Sequence, residues 1–248
     1  MANSGVKTVI LLAAVGGAAC FRPAANSAFA QGQSIFNGRD LAGWVPVGAR
    51  AAEDWLVRDG CLVCQGRHHS WLRSNREYGD FGLELEYQVS AGANSGVYVH
   101  VPADGNHHRD SSSLPPAGFE IQILDDHARR YAGLKDYQYS ASLYDIAGAR
   151  PRVSKPAGSW NTLEIRCVGL HVIVIHNGVR VVDARPESFP LLALRNKQGY
   201  LGLQSHNGLV KFRNIRIELL SKRAADDGPS RNPSNIAVPS FNSDRSSQ

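Results

Sequence analysis

The sequence predicts an all-β fold, an antiparallel β-sandwich, on three observations. Apolar and polar residues alternate through residues 44–220, turn dipeptides recur at short intervals, and no long segment carries a helical period. Leu83, Leu85, Tyr87 and Val89 alternate with Glu84, Glu86 and Gln88. Val97, Val99 and Val101 alternate with Tyr98 and His100, and Phe119, Ile121 and Ile123 with Glu120 and Gln122. A period of two puts one set on a buried face and the other away from it. Two β-branched runs flank Asn177-Gly178, a dipeptide that supplies the positive φ angles of a type I′ turn, which predicts a hairpin over residues 170–184. Asp59-Gly60, Gly158-Ser159 and Asn207-Gly208 mark further turns. The final strand changes phase, with Val210 and Phe212 on one parity and Ile215, Ile217 and Leu219 on the other. One extra residue reconciles them, so a β-bulge is expected at Arg213-Asn214. Many short strands with regular turns point to a sandwich rather than a parallel sheet.

The two ends read differently. Lys7 precedes a short apolar run, and Ala28-Phe29-Ala30 stands before Gln31, the pattern of a secretory signal over residues 1–30. The mature chain is therefore expected to begin at Gln31 and to be exported, periplasmic or extracellular. Lipid attachment at Cys20 is the alternative, although Gly17 stands where a lipoprotein signal normally carries Leu. The apolar run falls short of the roughly 20 residues of a bilayer span, and no later segment is longer, so no membrane span is expected. Residues 221–248, rich in Ser, Asn, Asp and Pro, read as a disordered tail. Residues 31–220 are left as one domain. Losing Lys7 and Arg22 lowers the formal charge from +5 to +3, and the remaining basic residues are scattered without interleaved aromatics, which argues against nucleic acid. Cys61 and Cys64 lie on opposite faces of one strand-like run, so with Cys167 they read as buried small hydrophobes. Residues 103–116 read as an exposed loop and residues 129–149 as a second irregular insertion. The pairs His68-His69 and His107-His108 read as solvated loop residues.

Several segments, in order, carry a resemblance. They are Ser34-Ile35-Phe36-Asn37-Gly38, Gly43-Trp44, Asn94-Ser95-Gly96-Val97-Tyr98 and Gly118-Phe119-Glu120-Ile121-Gln122. Ser142-Leu143-Tyr144, Gly199-Tyr200-Leu201-Gly202-Leu203-Gln204-Ser205-His206 and Val210-Lys211-Phe212-Arg213-Asn214 complete the set. Together they resemble the 3-keto-disaccharide hydrolase family, whose domains are concanavalin-like jelly-roll sandwiches. The sequence departs from that pattern at Ser140-Ala141, where Thr-Gly is usual, and at Asn207-Gly208, where a Gly usually follows directly on the His206 equivalent.

Strand parity places Glu120 and Gln122, Gln204 and His206, and Tyr98 and His100 on polar faces, where sandwiches of this class commonly bind sugars. An ordinary glycosidase needs two carboxyl groups. Glu120 has no second acid on its strand face, and Asp125 has the opposite parity. The resemblance implies different chemistry. A ketone at C3 acidifies the C2 proton; a base removes it, the enolate expels the C1 substituent, and water adds back. His206 or Glu120 can be that base, with Arg213 and Tyr144 as stabilisers of the enolate oxygen. Asn94, Gln122, Gln204, Tyr98 and His100 are the candidate substrate-binding residues. A divalent metal held by Glu120, Asp125 and His206 is a further possibility. Two rival readings stand beside this one: a non-catalytic carbohydrate-binding module, and an ordinary glycoside hydrolase with an unrecognised second carboxylate.

Overall fold

The computed structural model describes residues 32–108 and 115–220; the expected signal segment and the expected C-terminal tail lie outside the described residues. The strands are β1 (Gln33–Ser34), β2 (Trp44–Val47), β3 (Trp55–Arg58), β4 (Cys61–Cys64), β5 (Ser70–Tyr78) and β6 (Phe81–Val89). They continue with β7 (Asn94–Val101), β8 (Phe119–Leu124), β9 (Asn161–Val168), β10 (His171–His176), β11 (Val179–Ala184), β12 (Gly199–Ser205) and β13 (Val210–Leu219). One helical turn, α1 (Ala51–Asp54), precedes β3. The strands form two antiparallel sheets, one ordered β11-β10-β9-β6-β13-β4-β3 with β1 added to β13, the other ordered β2-β5-β12-β7-β8. This is the two-layer antiparallel sandwich that the alternation required, of the jelly-roll type.

The inward faces meet in one core. Leu83, Leu85 and Tyr87 of β6, Val97 and Val99 of β7, Ile121 and Ile123 of β8, and Leu201 and Leu203 of β12 are all buried in it. Truncating a side chain such as Ile121, which is 0 % exposed, would cost about 2–5 kcal/mol in lost transfer energy and cavity. Asn177 and Gly178 have φ of 50° and 80°, so the β10–β11 hairpin closes through the expected turn. The register of β13 against β6 shifts between Arg213 and Arg216, and Asn214 has φ 53°, which places the bulge where the change of phase put it. Cys61, Cys64 and Cys167 are free and buried.

A second bulge overturns one expectation. Between Tyr200 and Gly202 of β12, two residue steps stand against three on β7, from Val101 to Tyr98. His100 takes up the extra residue at φ 52°, so the side-chain parity of β7 flips beyond it. Val101 joins Tyr98 on the outer face, and His100 turns inward. Its ring packs edge-on against Phe81 and Phe119, and its nitrogens face the carbonyls of Gly79 (2.8 Å) and Asn196 (3.2 Å). His100 is thus a structural residue with its pKa lowered by burial, and not a substrate-binding one.

Candidate active site

The site is built on the outer face of the five-stranded sheet by the registers of β12, β7 and β8. Gly202 lies beside Tyr98 and Tyr98 beside Glu120; Gly96 lies beside Gln122. Phe119, Ile121 and Ile123 enter the core, so Glu120 and Gln122 face outward, as their alternation required. Both are nevertheless only 4 % exposed, because two segments cover this part of the sheet. The first runs along the free edge of β8. Tyr144 N–H donates to the Glu120 carbonyl at 2.9 Å, Gln122 N–H to that of Ser142 at 3.0 Å, and Ala141 N–H to that of Gln122 at 2.8 Å. The second lies between β7 and β8. Its Gly105, at φ 79°, rests against the Trp71 indole where a Cβ would crowd the ring, and its His107 stacks on Tyr98 with centroids 4.3 Å apart. Between these covers lies a cavity of about 410 Å³ that brings together Asn94, Glu120, Gln122, Tyr144, Gln204 and His206.

Glu120 occupies the floor. Its carboxyl lies over Gly96, where a Cβ would collide with it. Glycine inside a strand marks such a close approach. Burial, helped by the negative charge of Asp145, pushes the Glu120 carboxyl up to about 8, so it is protonated at neutral pH. His107 approaches it, with Nε2 3.5 Å from Oε2. The other ring nitrogen, Nδ1, faces the Gly105 carbonyl at 3.0 Å. A carbonyl only accepts, so the hydrogen-bond network assigns the proton to Nδ1 and turns the Nε2 lone pair toward Glu120. A lone pair favours the protonated carboxyl as well, and burial lowers the pKa of His107.

His206 stands at the rim, one residue past the end of β12, and is exposed. Asn207 orients it. The Asn207 side-chain N–H donates to the Gly92 carbonyl at 3.0 Å, and its backbone exchanges hydrogen bonds with Asn94 at 2.8 and 3.1 Å. That fixes Asn207 Oδ1 as the acceptor 3.2 Å from His206 Nδ1. In the neutral ring the proton therefore sits on Nδ1 and Nε2 offers its lone pair, the tautomer a general base requires. Gln204 donates from Nε2 to the Tyr98 hydroxyl at 2.9 Å. The amide oxygens of Gln204 and Asn94 are buried with no hydrogen-bond partner among the described residues. Two orphaned acceptors on the lining of a cavity suit hydroxyl donors. The Tyr144 hydroxyl accepts from Gln138 at 3.1 Å and lines the same space.

Two expected residues are elsewhere. Arg213 lies on the outer face of the other sheet, paired with Glu86 at 2.7 Å and stacked 3.9 Å over the Trp160 ring. The bulge beside it serves that contact, not the site. Asp125 caps a loop: its carboxylate accepts from the Gly92 N–H at 2.9 Å and the His127 N–H at 3.3 Å, and it does not line the cavity. The metal set Glu120, Asp125 and His206 therefore does not converge, and no group of three or more His, Cys, Asp or Glu side chains among the described residues is arranged to hold a metal ion. Conversely, His107 and His108, expected to be solvated, line the cavity, and His108 pairs with Asp145 at 3.0 Å. Strand parity is silent about loops, so these two and Tyr131 and Gln138 had no sequence signal. Gly96 and Gly202, glycines inside strands, were the available hint that something bulky lies across the sheet.

These features define an antiparallel sandwich with a loop-covered polar cavity on one outer sheet face. The chain belongs to the 3-keto-alpha-glucoside-1,2-lyase-like domain family, whose model matches residues 31–218. It is similar to a 3-keto-disaccharide hydrolase of Bacteroides thetaiotaomicron, with 28% identity over 225 residues covering 75% of this chain and 78% of that protein. A solved structure of a Parabacteroides distasonis protein assigned to the glycosyl hydrolases is 30% identical, with a TM-score of 0.56, covering 71% of this chain and 99% of that one. A second from the same organism, with the same assignment, shares the fold at a TM-score of 0.65 and 23% identity, covering 77% and 95% of the two chains.

Proposed function

We propose that the protein is an exported enzyme that cleaves glycosidic bonds in 3-keto-glycosides by elimination and rehydration. The observation that carries this reading is the Glu120 carboxyl, buried over Gly96 on the floor of a cavity whose rim holds His206; burial pushes that carboxyl up to about 8. His206 takes the C2 proton. The electron pair moves into the C2–C3 bond, and the C3 carbonyl oxygen becomes an enolate oxygen that receives a hydrogen bond from the Glu120 carboxyl. Collapse of the enolate forms a C1–C2 double bond and expels the C1 oxygen substituent; water then adds across that bond, with oxygen to C1 and a proton to C2. A buried neutral acid aimed at a developing oxyanion stabilises it without reorganisation, an effect of about 10²–10³ in rate for one donor. Asn94 and Gln204 accept hydrogen bonds from sugar hydroxyls, and Tyr144 supports the ring from the cavity wall. The family membership and the similarity to a 3-keto-disaccharide hydrolase support this substrate class.

The test is turnover of a 3-keto-disaccharide beside its unoxidised parent. Cleavage of the keto form alone is expected, and His206→Gln should slow it by roughly 10²-fold or more. Cleavage of both sugars would mean an ordinary glycosidase, and tight binding without turnover a carbohydrate-binding module.

A further inference from the structure

A second cleft, of about 310 Å³, adjoins the cavity holding Glu120. The two share only Gln204 and His206 among their lining residues. Glu120 lines the first and not the second; His69 lines the second and not the first. His69 is exposed and meets His206 edge-on, with ring centroids 5.0 Å apart. Its position is secured from beneath. The buried Asp54 carboxylate accepts from the backbone N–H of Arg67 and His68, from the Ser70 hydroxyl at 2.9 Å and from the Ser205 hydroxyl at 2.8 Å. One carboxylate thereby ties together Ser70, which follows His69, and Ser205, which precedes His206.

We propose that His69 is the general acid for the departing sugar, and that the second cleft receives that sugar. The inference rests on the reading of Glu120 and His206 given above. An elimination across C1 and C2 needs a base at C2 and an acid at the oxygen on C1, so the two groups must act on neighbouring atoms. Two imidazoles 5.0 Å apart, where the clefts join, span that separation. With the C3 carbonyl over Glu120, the C1 substituent points past His206 into the second cleft. The His69 imidazolium gives its proton to the glycosidic oxygen as the C1–O bond breaks, and the sugar leaves as a neutral alcohol. Neutral His69 then accepts a proton from the water that adds to C1, while His206 returns its proton to C2. Both histidines end as they began.

The experiment compares two leaving groups in wild type and His69→Gln: a 3-keto-disaccharide, whose departing alkoxide needs a proton, and 4-nitrophenyl 3-keto-glucoside, whose phenolate does not. The variant is expected to lose about 10²-fold or more in kcat/KM on the disaccharide and less than about 10-fold on the nitrophenyl substrate. An equal loss on both would make His69 a support for His206 and overturn the proposal, as would no loss on either. Should wild type cleave neither keto substrate, the reading of the first cavity fails and this inference with it.

Discussion

Replacing Glu120 with Gln should stabilise the protein while impairing it. A carboxyl in the unfolded chain titrates near 4.5, whereas burial holds Glu120 to about 8 in the folded state. At pH 7 the unfolded group is ionised and the folded group is not, so keeping the proton costs about 3 kcal/mol, counted at 1.36 kcal/mol for each of roughly 2.5 pH steps. The sign follows from proton binding. Between pH 4.5 and 8 the folded state binds the extra proton, so wild-type stability falls as pH rises through that window, and no such fall affects Gln. The variant's advantage should be about 1–3 kcal/mol at pH 7, a rise in Tm of about 3–10 °C, and below about 1 kcal/mol at pH 5. Denaturant unfolding of both proteins at pH 5, 6, 7 and 8 measures it, with turnover of a 3-keto-glycoside followed in parallel. A Gln variant that is less stable at pH 7, or whose advantage does not grow with pH, would show that Glu120 is ionised against His107. Its role as a neutral donor would then be refuted.

Gly96→Ala should displace the Glu120 carboxyl and reduce turnover by about 10-fold or more, with an overpacking cost of about 1–3 kcal/mol in the melting transition. Arg213→Ala, on the far sheet, should leave kcat and KM of the keto substrate unchanged; its partly exposed pair with Glu86 is worth at most about 1 kcal/mol in denaturant unfolding. Mass measurement of the secreted product should give a chain beginning at Gln31, and a lipid-modified Cys20 would replace that expectation.

The sheets were legible because a period of two leaves little choice: Phe119, Ile121 and Ile123 can share a core only if Glu120 and Gln122 face away from it. One bulge announced itself through the changed parity of Val210 and Ile215. The bulge at His100 did not, because Val97, Val99 and Val101 continue the same apolar alternation through it, and only the partner strand reveals the extra residue. The cover over the site was illegible for a different reason. His107 reaches Glu120 by stacking on Tyr98 and laying Gly105 against Trp71, contacts between loop and sheet that impose no period on either sequence. Arg213 was expected at the site as part of the chemistry the resemblance implied, but strand parity says nothing of which sheet carries it, and it pairs with Glu86 on the other one.

The number of carboxyl groups in the cavity bears on what the site can cleave. An unactivated glycoside passes through an oxocarbenium-like state that needs one carboxyl to donate and an ionised one opposite to attack or to activate water. Glu120 can donate. The nearby Asp145 raises the Glu120 pKa by its charge, but it is engaged with His108 and, like every Asp and Glu other than Glu120 among the described residues, does not line that cavity. A donor without an opposing carboxylate is poorly suited to that path. A ketone at C3 removes the need for one, since it makes the C2 proton acidic enough for an imidazole and turns the developing charge negative, toward a neutral acid rather than an anion. On the proposed reading, the same burial that makes Glu120 costly to keep would make the site selective for substrates that have already been oxidised.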